Sequence, residues 1–315
     1  MIKDLHNMEM RFVYGETLNE LIEQNPNVMC LEADLSKASG TSPTVLSKHP
    51  ANFLNIGVAE ANMICIAAGL ASEGKVPFCA SFTCFASRRV YDQITISVAY
   101  ANMNVKIVGT APGITAGPNG GTHMCFQDLA IMRAMPNMTV LSPADDIETT
   151  QMTLAAAVWP GPVYMRVGRY PVPRVHSESH KVRIGEISVL REGSDVAIFA
   201  TGAMVWKSLE AAELLAQQHV EARVINVSTI KPLDSPAVLS AITGATLMVS
   251  VEEHSVIGGL GSAIAECTSA QTGVPRLLRL GVQDKFGESG LADELLEKHG
   301  LQPARIAAQI LSSLS

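Results

Sequence analysis

Glu60 heads an unusually apolar run. Asn55-Ile56-Gly57-Val58-Ala59-Glu60-Ala61-Asn62-Met63 leads into a segment, residues 63–70, that is apolar nearly all round. The pattern predicts a helix over residues 59–72, closed by Gly74. An acid in a first helical turn favours the positive end of the helix dipole and needs no other role. A helix apolar on every side is expected to be buried, however. Its N-terminal carboxylate would then sit in a partly desolvated place and need a partner.

Three other stretches carry chemical potential. In Ser81-Phe82-Thr83-Cys84-Phe85-Ala86-Ser87-Arg88, two of the chain's eight phenylalanines lie three apart at a strand-to-helix turn. They are either an ordinary core pair or a flat apolar wall. Gly117-Pro118-Asn119-Gly120-Gly121-Thr122-His123 is a turn dense in glycine, with His123 its one titratable side chain. Such a turn can bring backbone close to a ligand, though any long turn looks similar. Arg166-Val167-Gly168-Arg169 sets two arginines at a strand end. They are either solvated charges or partners for a phosphate or carboxylate.

The elements that must position these residues alternate. Helix patterns cover residues 11–23, 59–72, 85–101 and 145–158, the last opened by Ser142-Pro143. Strand-like runs cover 28–31, 76–80, 105–109 and 163–167. This alternation implies βαβ units and a mainly parallel sheet. Residues 170–181, with Pro171 and Pro173, read as a linker. A second series follows, with strands at 196–200, 223–227, 247–251 and 277–280 and helices at 204–218 and 261–272. The expected fold is α/β, two doubly wound domains with mainly parallel sheets, divided into residues 1–178 and 179–315.

Composition narrows the function. A chain of 315 residues is long enough for two domains. Apolar residues make up 47% and the net charge is −7, without a basic cluster, which argues against a nucleic-acid surface. None of the six cysteines forms a Cys-x-x-Cys pair, so reduced, buried cysteines are expected. No apolar stretch reaches the roughly 18–20 residues of a membrane span. The first ten residues carry Lys3, Asp4, His6 and Glu9 and lack a signal-peptide core. A soluble, cytoplasmic protein is the expectation.

Taken together, the order and spacing of the four stretches are specific. Residues from about 28 to 174 resemble the pyrimidine-binding domain of the transketolase family. That wider family includes deoxyxylulose-phosphate synthase and the β subunits of 2-oxoacid dehydrogenases. Residues from about 185 to 312 resemble its C-terminal domain, at Thr229-Ile230-Lys231-Pro232-Leu233-Asp234, Val251-Glu252-Glu253-His254 and Gly258-Gly259-Leu260-Gly261.

The resemblance implies roles. Glu60 matches the glutamate that bonds the 1′ nitrogen of thiamine diphosphate's aminopyrimidine, favouring the imino tautomer that deprotonates the thiazolium carbon. Phe82 and Phe85 match aromatic residues packed on that ring. Arg88 falls where transketolases carry tyrosine and deoxyxylulose-phosphate synthases arginine. Asp34 matches an acid near the cofactor and the subunit boundary. His123 matches the histidine that contacts donor sugar oxygens. Arg169 matches the substrate-phosphate arginine, with Arg166 a second candidate. Ala111, Asn119, Ala38 and Ala61 stand where sugar-using members carry histidine, aspartate, serine and histidine. These departures imply an unusual donor, with Asn119 among the groups that read it. The family's Gly-Asp-Gly metal-diphosphate motif is missing, so no metal ligands are expected here. The Mg2+ ligands would come from a partner chain.

The function so implied is the β-type subunit of a split, thiamine-diphosphate-dependent transketolase. It would move a two-carbon ketol unit from a ketose phosphate to an aldose. The expected partner is a separate N-terminal-section, diphosphate-binding subunit, with two copies of each chain in a heterotetramer. The alternatives are a 2-oxoacid dehydrogenase β subunit, half of a deoxyxylulose-type synthase, or a non-catalytic assembly subunit.

Overall fold

The computed structural model describes residues 9–314. The reading of residues 1–8 as lacking a signal peptide lies outside them. The first half begins with helix α1, Met10–Gln24, and strand β1, Val28–Glu32. There follow β2, Phe53–Asn55; α2, Glu60–Ser72; β3, Val76–Phe82; and β4, Lys106–Thr110. Then come α3, Asp128–Ala134; β5, Thr139–Leu141; α4, Asp146–Val158; and β6, Val163–Val167. In the second half are β7, Ser188–Arg191; β8, Val196–Ala200; α5, Met204–Ala216; β9, Ala222–Asn226; and β10, Thr229–Lys231. It ends with α6, Ser235–Ala241; β11, Leu247–Ser255; α7, Leu260–Thr268; β12, Arg276–Val282; α8, Ala292–Lys298; and α9, Pro303–Leu314.

Two sheets result. The first runs β10-β5-β6-β4-β3-β1-β2, the second β12-β11-β8-β9-β7. Pairing is parallel except for β10 with β5 and β7 with β9. Strands β4, β6 and β8 are buried at every residue, as parallel strands covered on both faces must be. The expected α/β class with mainly parallel sheets is therefore observed. Strand β10 follows the linker in sequence yet completes the first sheet, pairing Thr229 with Leu141. The two halves are thus stitched together by a strand as well as by side chains.

Parallel register decides where the site lies. Glu32 pairs with Ala80 and Asn55, Phe82 with Thr110, and Thr110 with Val167. The carboxyl ends of β1, β2, β3, β4 and β6 therefore share one edge. In open parallel sheets that edge is the place for ligands. Asp34, Glu60, Phe82, Ala111 and Arg169 all leave from it.

Several expectations shift in detail. Helix 85–101 is a chain of short α, 3-10 and π turns from Thr83 to Tyr100, broken at Ser87 (φ −123°, ψ −85°). The cap of α4 is Asp145, not Ser142: its side chain accepts the Glu148 N–H. Helix α2 is buried on one side only, through Glu60, Met63, Ile64 and Ala67. That spacing is a single helical face. Its other face, including Ala61, Cys65 and Gly69, is bare in the single chain.

Candidate active site

Gly57 turns the chain with φ +77° just before α2, and Glu60 opens the helix with only 4% of its surface exposed. A nearly buried carboxylate needs a strong donor. Here the donor is Arg89, whose Nη1 lies 2.9 Å from Oε1 of Glu60. The same guanidinium sits over Phe85, its central carbon 3.8 Å from the ring centroid. This cation–π contact fixes the Arg89 head while 46% of its side chain stays open.

The two phenylalanines do form a wall. Phe82 ends β3 and Phe85 lies in the next turn, with centroids 6.1 Å apart. His123 stands edge-on to both, 6.0 Å from Phe82 and 5.3 Å from Phe85. Its Nδ1 is 2.8 Å from the Thr122 hydroxyl. Arg88 donates to the Thr122 carbonyl at 3.4 Å. Glu60, Phe82, Phe85, Arg88 and His123 are thus brought into one patch, although they span 63 positions of sequence.

Asp34 joins its edge. It adopts φ +61° and exchanges bonds with Asn55: the Asp34 N–H donates to Oδ1 at 3.0 Å, and Asn55 Nδ2 donates to Oδ1 of Asp34 at 3.2 Å. Asn55 also accepts the Gly57 N–H at 3.1 Å. One amide side chain therefore couples the loop after β1 to the turn that presents Glu60.

The glycine-rich loop is close-packed for a different reason than ligand approach. A Cβ on Gly121 would fall 2.2 Å from the Gly287 carbonyl, and one on Gly113 would fall 2.3 Å from that of Glu253. Thr115 donates to the Glu253 carboxylate through its N–H at 2.9 Å and its hydroxyl at 2.7 Å. Ser289 bonds the Pro118 carbonyl at 2.7 Å. The second domain thus clamps the loop that carries Asn119 and His123. Within that loop the Nδ2 of Asn119 is buried and has no partner.

The two arginines of the β6 end part company. Arg169 is half-buried beside the edge. Arg166 points inward at 3% exposure and bonds both oxygens of Asp128, at 2.8 and 3.3 Å. A guanidinium so committed has no face for a substrate, so Arg166 is a core ion pair and stands outside the patch. Arg89, absent from the sequence-based set, takes a central place. The helical break at Ser87 separates it from the Phe85 turn, so no local spacing marked it.

The chain matches the transketolase pyrimidine-binding domain over residues 6–173 and the transketolase C-terminal domain over residues 185–306. It is 49% identical over 297 residues to the 6-deoxy-6-sulfo-D-fructose transketolase subunit SqwH of Clostridium sp. (strain MSTE9), covering 94% of this chain and 92% of that one. A solved structure described as a split gene transketolase, inactive beta4 tetramer, superposes with TM-score 0.88 at 39% identity, covering 98% of both chains. Transketolase from Campylobacter jejuni shares the fold (TM-score 0.84, 21% identity), and this chain covers 99% of itself but 48% of that longer chain. The chain belongs to the transketolase family, as the pyrimidine-binding and C-terminal half of a split ketol-transferring enzyme.

Proposed function

We propose that this chain holds the aminopyrimidine of thiamine diphosphate between Glu60 and the Phe82–Phe85 wall, at a boundary with a separate diphosphate-binding subunit. The observation that carries this reading is the Arg89 head group. It is flat, bears N–H groups, lies on Phe85 at 3.8 Å and bonds Glu60 at 2.9 Å. An aminopyrimidine is also flat and rich in nitrogen and fits the same two contacts. When bound, thiamine diphosphate supplies the carbon nucleophile that cleaves and rebuilds the donor's carbon–carbon bond.

The chain's own residues do the rest. Glu60 replaces its bond to Arg89 with one to the ring nitrogen and sets that ring's protonation from a nearly dry position. Phe82 and Phe85 fix the ring plane. His123 has Nδ1 tied to Thr122 and turns Nε2 to the donor's oxygens. Asn119 offers its unpartnered Nδ2 to a donor hydroxyl. Arg88 and Asp34 line the approach to the cofactor, and Arg169 meets the donor's terminal anion. Magnesium and the groups that hold the diphosphate come from the partner. All six cysteines are unpaired, and no described helix is long and apolar enough to cross a membrane. Both features support a cytoplasmic setting.

The donor we infer is a six-carbon ketose with an anionic group on its terminal carbon, a sulfonate in the first instance. The 49% identity to a sulfofructose transketolase subunit supports this, as do Ala111 and Asn119 in place of histidine and aspartate. The test pairs this chain with a diphosphate-binding transketolase subunit from the same genome. Sulfofructose and fructose 6-phosphate are offered with an aldose acceptor, and products are weighed by mass spectrometry. At least a tenfold preference in kcat/KM for the sulfonate is expected. The opposite preference overturns the donor assignment; no transfer from either ketose overturns the ketol-transfer reading.

A further inference from the structure

A second polar cluster lies far from the Glu60 patch in sequence, where the linker crosses between the domains. Asp145 caps α4 by accepting the Glu148 N–H at 2.9 Å. Its other oxygen faces the linker. There it accepts the N–H groups of Val175 and His176 at 2.9 and 2.8 Å, and lies 3.0 Å from His176 Nδ1. An ionised carboxylate can only accept, so Nδ1 of His176 carries a proton, and in the neutral imidazole the lone pair is on Nε2. This carboxylate–histidine arrangement is the one that orients metal-binding imidazoles.

The His176 Nε2 lies 3.8 Å from Glu148 Oε1, and the His180 Nε2 lies 4.0 Å from the same oxygen. The three ligand atoms lie within 4.8 Å of one another. A tetrahedral ion at about 2.0–2.1 Å from each ligand atom holds them about 3.3–3.4 Å apart, so the three atoms must draw in by several tenths of an ångström or more to bind it. The two imidazoles stack at 4.1 Å with planes 29° apart. Their lone pairs converge once His180, the more open of the two, turns about its side-chain bonds.

Two further observations point to a guest. The amide of Asn226, the last residue of β9, occupies the gap, with Nδ2 2.9 Å from Glu148 Oε1 and 3.3 Å from His176 Nε2. Its Oδ1 is buried without a partner. Rotating the amide presents that oxygen to a cation. A cavity of about 30 Å³ also opens between Glu148, His180, Lys181 and Ser228. That is room for one water. Asp145 and Glu148 are both buried; Arg174 pairs with Asp146 and Arg183 with Glu186, while Lys181 lines the cavity.

We propose that Glu148, His176 and His180 bind a divalent transition-metal ion of the zinc class, with the cavity water or Asn226 Oδ1 completing its shell. Two imidazoles and one carboxylate suit zinc, cobalt or nickel, and not the oxygen-seeking magnesium of a diphosphate site. The ion clamps the linker to α4 of one domain and β9 of the other. Its role is to hold the two sheets in register behind the active edge.

The experiment uses the untagged full chain, stripped with chelator and titrated with Co2+ while visible absorption is recorded. One equivalent of Co2+ should bind and be displaced by Zn2+. Zinc at a hundredfold excess over Kd should raise the melting temperature by about 5 °C. His180→Ala should weaken binding at least tenfold and abolish the zinc-dependent shift. His180 is the ligand least involved in packing, so this variant should melt like the metal-free parent. Glu148→Gln, checked the same way, should also lose the ion. Absence of stoichiometric binding by the parent, or equal affinity in His180→Ala, overturns the proposal. Neither readout depends on activity.

Discussion

At the residue scale, Glu60 and Arg89 compete for the same geometry. If Glu60 sets cofactor protonation, Glu60→Gln should cut turnover by about 10²–10⁴-fold while co-purification with the partner is unchanged. Near-normal turnover in the reconstituted pair would make Glu60 a structural acid. Arg89→Ala makes the converse case, because Arg89 must leave Glu60 before a ring nitrogen can take its place. Removing it should speed cofactor association, read by stopped-flow fluorescence; slower association would mean that Arg89 helps bind and does not block. Glu60, Phe82, Phe85 and His123 were visible in the sequence as local patterns, a helix start, a Phe spacing and a glycine turn, while their proposed roles rest on the family resemblance. Arg89 was not, since the break at Ser87 decides which of two adjacent arginines reaches Glu60. Arg166 misled for the opposite reason. Its partner Asp128 lies 38 positions earlier, and nothing local marks the pair.

At the element scale, long periodic segments were legible and short ones were not. Strands β4, β6 and β8 have five residues each; β8 is wholly apolar, while β4 and β6 carry apolar centres beside Lys106, Thr110 and Arg166. Strands β2, β5 and β10 have three each and exist only because a neighbour offers backbone partners. Strand β10 is the extreme case, since its partner β5 precedes the linker. Strand β1 carries a measurable electrostatic load at its end. Glu32 is fully buried, bonded by the Thr41 hydroxyl at 2.6 Å and the Ser39 hydroxyl at 3.3 Å. Burial pushes its pKa from 4.5 to about 8. Between those values the folded chain keeps a proton that the unfolded chain has released. Stability therefore falls as pH rises through this window, by at most about 1.4 kcal/mol per pH unit from this group. Lys106, lowered to about 7 by burial, works in the other sense from about pH 7 upward, so the comparison must be between variants. Glu32→Gln should lose stability less steeply than the parent from pH 5 to 8, measured by urea midpoints. Parallel curves would show that Glu32 stays ionised.

At the scale of the whole molecule, the bare surface is the informative feature. The outward face of α2 is small and apolar. Val58 beside it is 76% exposed, and Ile96 and Tyr100, on the helical segment after Phe85, are 58% and 85% exposed. Val58 borders the edge that carries Glu60, and Ile96 and Tyr100 extend the bare surface along the segment that leads away from it, so a subunit covering all three also reaches the active patch. Exposed apolar area of this kind, next to a polar site, marks a subunit interface. In the proposed split enzyme, one surface of each chain meets a diphosphate-binding subunit. A twofold repeat of that pair is the commonest way to close such an assembly. The expected particle therefore holds two of these chains and two partners. Alone, this chain should bind thiamine diphosphate and magnesium weakly in calorimetry, because only half of the cofactor's surroundings are present. Light scattering on the co-expressed pair should give a mass of two plus two. Ile96→Glu, which sets a charge into the proposed contact without touching Glu60 or His123, should lower that mass and reduce cofactor affinity together. If it halves the particle but leaves full activity, one pair is a complete enzyme and the twofold contact is not part of the site. Tight cofactor binding by the isolated chain would show instead that the edge around Glu60 is sufficient without a partner.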